Sequence, residues 1–392
     1  MQKEKLVPEI RFKGFEEKWE TSLLEEFGKC VSGYGFPISE QGNKEGIPFY
    51  KVSDMNLNEN YLIMNKANNY VSKNIALNKN WKIINMLPAI IFAKVGAAVL
   101  LNRKRIANSP FLIDNNMMAY LSKKTVDASY LYYIFYKINL TDLIQCGALP
   151  SINAYDILNF QAQVTKNINE QQKIGQFFSN LDSLIRSQEL KLKKLNEVKQ
   201  SFLSKMFASK NQKFPEIRFK GFEEEWKTAI LDDFIDYERP DKYIEKLPLL
   251  EFGRIPVLTA NKSFKLGYTE SKNYYAKGDC ILFDDFTLDS KYVNFPFMVV
   301  SSALKILTLK NNQDSLPYYF AILSNNTFES QGHARHYISV VAKTSIKISD
   351  NITEKNLIGS FYNYIDSLIS SQELKLEKLN NIKQALLEKM FC

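Results

Sequence analysis

The chain has 392 residues, enough for two domains with separate cores, and its 45% hydrophobic and 24% charged residues are typical of a folded protein. Its net charge of +8 favours a polyanionic partner, although charge alone does not identify one. The four cysteines are far apart and no apolar run reaches the length of a membrane span, which argues against a disulfide framework, a zinc site and a membrane protein, and predicts a cytoplasmic location.

The first predicted element is a short charged segment, Pro8–Glu17, with the sequence PEIRFKGFEE. The same ten residues return at Pro215–Glu224, and Trp19 and Trp226 follow the two copies in register. Such a repeat indicates a duplicated structural unit, around which the rest of the chain is organised. We therefore treat residues 1–168 as a first domain that this repeated segment begins.

Basic residues accompany the apolar segments of the first domain. Lys51 lies in the stretch Ile47–Asn56, Lys94 interrupts two apolar runs, and Asn102–Arg105 is the densest basic cluster. Arginine and lysine donate to guanine edges and to phosphates, so these residues predict a DNA contact. The aromatic stretch Tyr130–Ile138 follows helical spacing, and we expect it to face the core rather than stack on bases. The candidate DNA-binding residues of this domain are Lys51, Lys94, Arg103, Lys104 and Arg105.

A long helix is predicted over residues 169–209. Apolar residues and one glutamine recur at every seventh position, and no proline or glycine follows Gly175 in this stretch. Phe177, Leu184 and Val198 add apolar residues between these positions, which completes the heptad pattern of a coiled coil. The predicted seam consists of Ile174, Leu181, Gln188, Leu195 and Phe202.

The second domain, residues 210–352, has the same opening segment but a shorter and mostly dissimilar interior. From the tryptophan to the helix repeat there are 149 residues in the first domain and 126 in the second. Weak likenesses remain, such as Ile47-Pro48 with Ile255-Pro256 and the apolar runs at Ala89 and Asp279. A duplication that kept only a structural frame would look like this, but divergence confined to one segment also suits two modules that read different targets. The second domain's candidate DNA-binding residues are Lys262, Lys265, Lys291, Arg335 and His336.

The second helix is predicted over residues 353–392. It repeats the first at an offset of 184 with 23 of 39 positions identical, and the shared core reads DSLIxSQELKLxKLN. The two seams can pair in parallel or antiparallel, and opposed Gln188 and Gln372 would fit both. We favour the antiparallel pair, because it would send the domains to opposite ends of helices about 50 Å long. The second seam is Ile358, Ile365, Gln372, Leu379 and Leu386, with Phe361, Leu368 and Ile382 between.

Signatures of catalysis are missing from the sequence. There is no GxxxxGK[ST] phosphate loop, and Asn294–Phe297 departs from the [DN]PP[YF] loop of amino-methyltransferases, so we interpret it as a strand end. Asp284 and Asp285 would point to opposite faces of an extended segment, which favours a structural role over nuclease metal ligands. His333 and His336 lack the further ligands of a metal site. The sequence therefore predicts neither a catalytic site nor a metal site.

The order of short segment, variable domain and long helix, present twice, resembles the specificity subunits of type I restriction–modification systems. The resemblance is carried by PEIRFKGFEExW at Pro8–Trp19 and Pro215–Trp226, by IPFYKVSDMN at Ile47–Asn56, and by the paired helices. GALPSINAYDI at Gly147–Ile157 is a further mark, whose counterpart at Gly332–Val340 departs in length and residue type. The likeness covers essentially the whole chain.

We expect an α/β (α+β) protein in which two target recognition domains are separated by two long antiparallel coiled-coil helices, with a pseudo-twofold internal repeat. The resemblance implies that each domain reads one half of a bipartite site in double-stranded DNA, and that the helices set the spacing and dock two modification subunits. It implies a non-catalytic chain without a cofactor. S-adenosylmethionine would serve the modification (methyltransferase) subunits, and ATP and Mg would serve the restriction (motor and nuclease) subunits.

Two other classes of protein remain open. A coiled-coil scaffold with two protein-binding heads would share the repeats, but it would not retain DNA in a salt-sensitive way. A complete restriction enzyme in one chain would need the methyltransferase and nuclease motifs, and it would transfer methyl groups without partners.

Overall fold

The computed structural model describes residues 6–145, 149–246, 248–259, 264–326, 328 and 337–392. The chain divides into two compact units. The first unit comprises Met1–Leu190 and Leu374–Cys392, and the second comprises Lys191–Glu373. The first unit therefore joins two segments that are far apart in the sequence.

The described part of the first unit begins with short strands and helices and ends in a long helix that continues into the second unit. Its strands are β1 Glu20–Leu23, β2 Gly28–Ser32, β3 Ile47–Tyr50, β4 Tyr70–Val71, β5 Ala89–Ala93, β6 Lys104–Ala107, β7 Leu112–Ile113, β8 Met117–Ser122 and β9 Gln161–Val164. Its helices are α1 Lys73–Asn78, α2 Ala128–Lys137, α3 Ala154–Leu158 and α4 Ile168–Met206.

The main sheet of the first unit is antiparallel and has the strand order β2-β8-β5-β6. Strand β5 is buried along its whole length, because the sheet is covered on both faces. Phe92 packs in the cluster that contains Trp19, whereas its neighbour Ile91 packs with Tyr50 on the opposite face. A second sheet, β4-β3-β7, and the pair β1-β9 complete the unit.

The second unit repeats this arrangement. Its strands are β10 Lys227–Ile230, β11 Ile235–Glu238, β12 Ile255–Leu258, β13 Lys265–Thr269, β14 Cys280–Asp284, β15 Ser290–Val293, β16 Met298–Val299, β17 Leu304–Leu309 and β18 Ser345–Ile348. Its helices are α5 Leu316–Asn325 and the first part of α6 Ile352–Met390, which from Leu374 onward belongs to the first unit. The strand orders are β11-β17-β14-β15, β13-β12-β16 and β10-β18. Each position in these sheets corresponds to a strand of the first unit. Across the described ranges, no helix is both long and apolar enough to cross a membrane.

The two units also share their strand directions. In the first, Ile47 on β3 pairs antiparallel with β4, and Phe49 pairs parallel with β7. In the second, Ile255 on β12 pairs antiparallel with β13, and Val257 pairs parallel with β16. The predicted correspondence of Ile47-Pro48 with Ile255-Pro256 is therefore confirmed.

The predicted alignment of β5 with β14 is wrong by one residue. Ala93 pairs with Met117 on β8, and Asp284 pairs with Leu304 on β17, so Ala93 corresponds to Asp284. The apolar runs had aligned Ala89 with Asp279 instead. A slip of one residue turns every side chain to the other face. Because both strands are apolar on both faces, their sequences alone do not determine how β5 aligns with β14.

A buried ion pair fastens the repeated segment to the start of the long helix in each unit. In the first unit, Arg11 donates from Nε and Nη2 to the two carboxylate oxygens of Glu170, at 2.6 and 2.9 Å. In the second, Arg218 donates to Glu354 through the same atoms at the same distances. The glutamate hydrogen bond raises the pKa of both arginines. The ten identical residues thus preserve one structural joint.

Within the first unit, the start of α4 packs against the end of α6. The rings of Phe178 and Phe391 are 5.8 Å apart, and Lys383 Nζ lies 2.6 Å from Asp182 Oδ1. As residue numbers rise along α4, the numbers of the residues they contact in α6 fall, so the two segments are antiparallel.

Within the second unit, the end of α4 packs against the start of α6. Lys199 Nζ lies 2.5 Å from Asp366 Oδ1, and the rings of Phe202 and Phe361 are 5.0 Å apart. The helical segments are antiparallel here as well. The predicted fold class, with two α/β units and two long antiparallel helices, is confirmed.

The apolar positions predicted between the heptad residues are only partly buried. The side chains that pack inward are instead those of Phe178, Ile185, Tyr362 and Ile369. They follow the helical period of 3.6 because each helix end also packs on a globular core. The opposition of Gln188 to Gln372 stays a prediction. The exposed residues among the predicted positions are Leu184, Val198, Leu368 and Ile382, whose exposed fractions are 42, 36, 38 and 50%.

Candidate nucleic-acid interface

Two predicted contact residues lie at the loop end of the hairpin that β5 and β6 form. Phe92 on β5 is opposite Lys104 on β6. Lys94 follows the first strand and Arg103 precedes the second, so the antiparallel pairing brings both residues to the same end of the sheet. Lys94 Nζ donates to Ser32 Oγ over 3.0 Å.

The two arginines of the basic cluster reach the segment that follows β3. Arg103 donates to Asn56 Oδ1, and Arg105 Nε donates to the carbonyl oxygen of Asn60 over 2.6 Å. Among the described residues, neither arginine forms an ion pair with a carboxylate. Burial, together with the neighbouring Arg103 charge, holds the pKa of Arg105 below its usual range. The fold therefore joins the basic cluster to the IPFYKVSDMN stretch.

Lys104 has a structural role that the sequence does not show. Its side chain is buried, and Nζ donates to the carbonyl oxygen of Ile138 and to Asn102 Oδ1, both over 2.6 Å. Burial lowers the pKa of Lys104 to about 8. The predicted DNA contact from Lys104 does not fit this position, because alternating residues of a strand point to opposite faces and this one points inward.

Lys51 lies at the end of β3 beside a buried carboxylate. Its backbone N–H donates to Asp54 Oδ2 over 2.8 Å, and its Nζ donates to Gln41 Oε1 over 3.3 Å. Asp54 also accepts two hydrogen bonds from Asn68, at 3.1 and 2.6 Å. Asp54 therefore fixes the loop from which the half-buried Lys51 side chain extends.

In the second unit, Lys291 occupies the position that Arg105 occupies in the first. Arg105 on β6 is opposite Ile91, and Lys291 on β15 is opposite the corresponding residue, Leu282. Both are predicted contact residues, and the structure shows that they are equivalent. Lys265 begins β13, donates to Tyr268 Oη over 2.8 Å and lies 4.8 Å from the centre of that ring. Lys262, Arg335 and His336 lie outside the described residues.

The position of Lys94 carries the opposite charge in the second unit. The backbone N–H of Lys94 donates to Asn116, and that of Asp285 donates to Ala303, at corresponding places between the central strands. Asp285 is buried and pairs with Lys305 at 2.9 Å. The same backbone position thus holds the half-exposed cation Lys94 in the first unit and, in the second, the buried Asp285, whose charge Lys305 neutralises.

The predicted structural role of the adjacent acids is confirmed. Asp284 accepts hydrogen bonds from the backbone N–H of Phe286 and from Thr287 Oγ1, at 2.8 and 3.1 Å. Asp285 accepts one from the backbone N–H of Tyr337 at 3.0 Å. These bonds hold the turn after β14. Asn294 directly follows the end of β15, as predicted for the Asn294–Phe297 segment.

The aromatic helices α2 and α5 are core elements, as predicted for Tyr130–Ile138 in α2. Tyr130 and Tyr318 are fully buried, and their hydroxyl oxygens accept hydrogen bonds from the backbone N–H groups of Thr165 and Ser349. Their rings lie edge-on to Trp19 and Trp226 at 6.0 and 6.2 Å. In the part of the chain that the structure describes, no cluster of His, Cys, Asp and Glu side chains could hold a metal ion.

Arg186, a basic residue outside the predicted contact residues, lies beside the predicted cluster. A cleft of about 520 Å³ is lined by Arg103, Arg105 and Arg186, the last of which comes from α4. A signal for it was present in the sequence: Arg186 is one of two variable positions in the shared core of the helix repeat. Ser370 stands there in the second copy.

Comparison with known proteins locates a recognised domain in the first unit. Residues 16–200 match the family model described as the type I restriction modification DNA specificity domain. The specificity subunit of the type I restriction enzyme EcoR124I/EcoR124II from Escherichia coli is 38% identical over 135 residues, 33% of this chain and 33% of that protein. The alignment therefore spans about a third of the curated relative's length.

A solved structure resembles the chain over nearly its whole length. The S subunit of a type I restriction–modification system from M. genitalium superposes with a TM-score of 0.73 and 14% identity, covering 98% of this chain and 99% of that chain. At this identity the likeness concerns the fold, and it includes both units. Residues 16–200 are thus similar to a type I restriction modification DNA specificity domain, and the likeness of fold to a solved S subunit extends over both units.

Proposed function

We propose that the chain is the DNA specificity subunit of a type I restriction–modification complex, in which each unit reads one half of a bipartite target. One observation carries this proposal. The two units have the same strand order and the same Arg–Glu joint, yet corresponding positions such as Lys94 and Asp285 differ in charge. A constant frame with different contact chemistry is what two readers of different sequences require.

The reading would occur by differential binding. In the first unit, Lys51, Lys94, Arg103 and Arg105 extend from loops and strand ends, where cations can hold phosphates and arginine can pair with guanine. In the second unit Lys265 and Lys291 would take these roles, together with Lys262, Arg335 and His336. Lys104 is excluded from this set by its burial. Binding to cellular DNA agrees with the predicted cytoplasmic location.

The family is non-catalytic, and we assign the chemistry to partner subunits. Two modification subunits would use S-adenosylmethionine to methylate adenine in the two half-sites. Restriction subunits would use ATP and Mg for translocation and cleavage. This chain would determine the DNA sequence to which both activities are directed.

Removing this chain from cells that hold the complete system is expected to abolish methylation of one bipartite adenine motif. The reason is that no other component would select the two half-sites. Genome-wide mapping of methylated adenines with and without the gene measures the effect, and a reintroduced copy should restore the motif. If every methylated bipartite motif persisted in the deletion strain, the proposed function would be wrong. Salt-sensitive retention of DNA by the purified chain would distinguish it from a protein-binding scaffold, which would not retain DNA in this way.

The long helices offer surfaces for two identical partners. Leu184, Leu190 and Val198 on α4 are exposed, and so are Leu368, Leu374 and Ile382 at the corresponding positions of α6. Exposed apolar residues that recur on two repeats favour docking of two copies of one protein. We assign these surfaces to the modification subunits.

Leu184→Asp and Leu368→Asp are each expected to weaken the docking of one modification subunit, on the order of tenfold or more, because a carboxylate would be buried without a partner. Native mass spectrometry of the co-expressed complex should show one modification subunit lost in each single variant and both lost in the double variant. Asn196→Asp and Asn380→Asp, exposed at corresponding positions on a different side of the helices, are the matched controls. Unchanged stoichiometry in the leucine variants would rule out this docking surface.

A further inference from the structure

The cleft between the basic cluster and α4 belongs wholly to the first unit. It has a volume of about 520 Å³ and three arginines in its wall, Arg103, Arg105 and Arg186. Asn56, Asn58 and Tyr61 contribute further polar and aromatic lining. Three cationic forks that face one open, polar space form a site suited to an anion.

Arg186 is held in place by the loop that it faces. Its Nη2 donates to the carbonyl oxygen of Asn58 over 2.8 Å, and its guanidinium lies 5.0 Å from the centre of the Tyr61 ring. Its Nη1 donates to Glu189 over 3.2 Å. These bonds use two of the five N–H groups of the guanidinium. The side chain is therefore oriented in advance and still has donors for a ligand.

Among the described residues, a carboxylate pairs with only one of the three arginines of the cleft. Glu189 pairs with Arg186, but the bonds of Arg105 go to the carbonyl oxygens of Asn60, Lys104 and Met55, which carry no net charge. The charges of Arg103 and Arg105 repel each other, and a bound anion would relieve that repulsion.

The second unit has none of the three arginines and keeps a cation at only one of their positions. Phe92 is opposite Lys104 and Phe283 is opposite Ser290, so the residues just before Lys104 and Ser290 correspond. These are Arg103 in the first unit and Asp289 in the second. In the same alignment Lys291 stands for Arg105, and Ser370 of the helix repeat stands for Arg186.

We propose that Arg103, Arg105 and Arg186 bind one phosphodiester group of the DNA backbone, and that the first unit therefore supplies more of the electrostatic grip than the second. This inference rests on the proposed function and deepens it. It places one DNA contact on α4, outside the strands and loops of the recognition domain. The guanidinium fork matches the geometry of a phosphate group, and arginine keeps its charge at any physiological pH.

The test compares DNA binding by the complete complex of this chain with its modification subunits, for the natural chain and for Arg186→Gln. Affinity for a duplex that carries the mapped target is measured by fluorescence anisotropy between 50 and 200 mM salt. Each phosphate contact contributes a slope of about −0.9 to log K against log salt. Arg186→Gln removes one of three cations from that phosphate and should flatten the slope by up to that amount, so that the ratio of natural to variant affinity falls by up to roughly 3–4-fold between 50 and 200 mM salt.

Two further variants separate charge from folding. Arg186→Lys keeps the charge and should recover most of the slope, although it cannot reproduce the fork. Lys194→Gln removes the same charge from an exposed position farther along α4 and should leave the slope unchanged. Hydrogen exchange of the first unit should be the same in all variants, and a loss of slope in Arg186→Gln with unchanged exchange supports the site.

Neutral methylphosphonate linkages, placed in one half-site and then in the other, locate the contact. In the half-site that the first unit reads, they should weaken the natural complex more than the Arg186→Gln complex; in the other half-site they should weaken both equally. Equal penalties in both half-sites, or an unchanged salt slope in Arg186→Gln, would overturn the phosphate site alone. A natural complex without salt-dependent binding to the target would overturn the proposed function with it. Weaker assembly with the modification subunits at an unchanged slope would assign the cleft to a protein partner and overturn the DNA contact.

Discussion

Arg11→Ala is expected to lower the free energy of unfolding of the first unit by about 3–5 kcal/mol. The change leaves the Glu170 carboxylate without its partner, and that side chain has no exposed surface. A buried carboxylate without a partner either loses its favourable interactions or takes up a proton, and both outcomes cost stability. Hydrogen exchange of peptides from the start of α4 measures the change where it occurs.

Controls for this joint come from the repeat itself. Lys13→Ala removes an exposed cation from the same short segment and should have little effect. Arg218→Ala should produce the corresponding loss in the second unit, because Arg218 holds Glu354 through the same two bonds. If Arg11→Ala and Lys13→Ala gave the same exchange rates, the ten-residue repeat would owe its identity to something other than this ion pair.

Phe391→Ala is expected to destabilise the first unit by a similar amount, about 3–5 kcal/mol, through a cavity in its core. The ring is 96% buried, and its centroid lies 5.9 Å from Trp19, 5.8 Å from Tyr130 and 5.8 Å from Phe178. The residue is near the end of α6, yet it fills the centre of a unit that begins with the first described residues. Urea denaturation followed by tryptophan fluorescence would report on the ring next to Trp19.

Leu374→Ala is the control for the same segment, because that side chain is half exposed and its truncation leaves no comparable cavity. Phe207→Ala is the counterpart in the second unit, where the ring lies 5.9 Å from Trp226 and 5.6 Å from Tyr318. A wild-type midpoint in Phe391→Ala would contradict the packing described for this unit.

Much of the frame could be predicted from the sequence, because repetition reports constraints that both copies share. The ten identical residues mark the Arg11–Glu170 joint and its copy, and the helix repeat predicts two long helices that the structure contains. The aromatic spacing of Tyr130–Ile138 correctly predicts a core helix. In each case the signal is a local pattern that packing requires.

The contact surface was harder to predict, since it depends on tertiary neighbours. Charge alone gives no distinction between Lys104, which points into the core, and Arg105, which lines the cleft. Arg186 belongs to that cleft only because α4 passes beside the loop at Asn58. The register of β5 and β14 was misjudged because strands that are apolar on both faces look alike when shifted by one residue.

The division of the first unit between Met1–Leu190 and Leu374–Cys392 sets an order of maturation on the ribosome. At about 5–20 residues per second, the residues that close this unit emerge roughly 10–40 s after its main part has been made. The second unit is one continuous segment, Lys191–Glu373, so its synthesis is complete before that of the first unit. During that interval Trp19 and Tyr130 lack the packing contact that Phe391 later provides. Until Phe391 has been synthesised, the core of the first unit is therefore incomplete, and a chaperone could bind its exposed apolar residues.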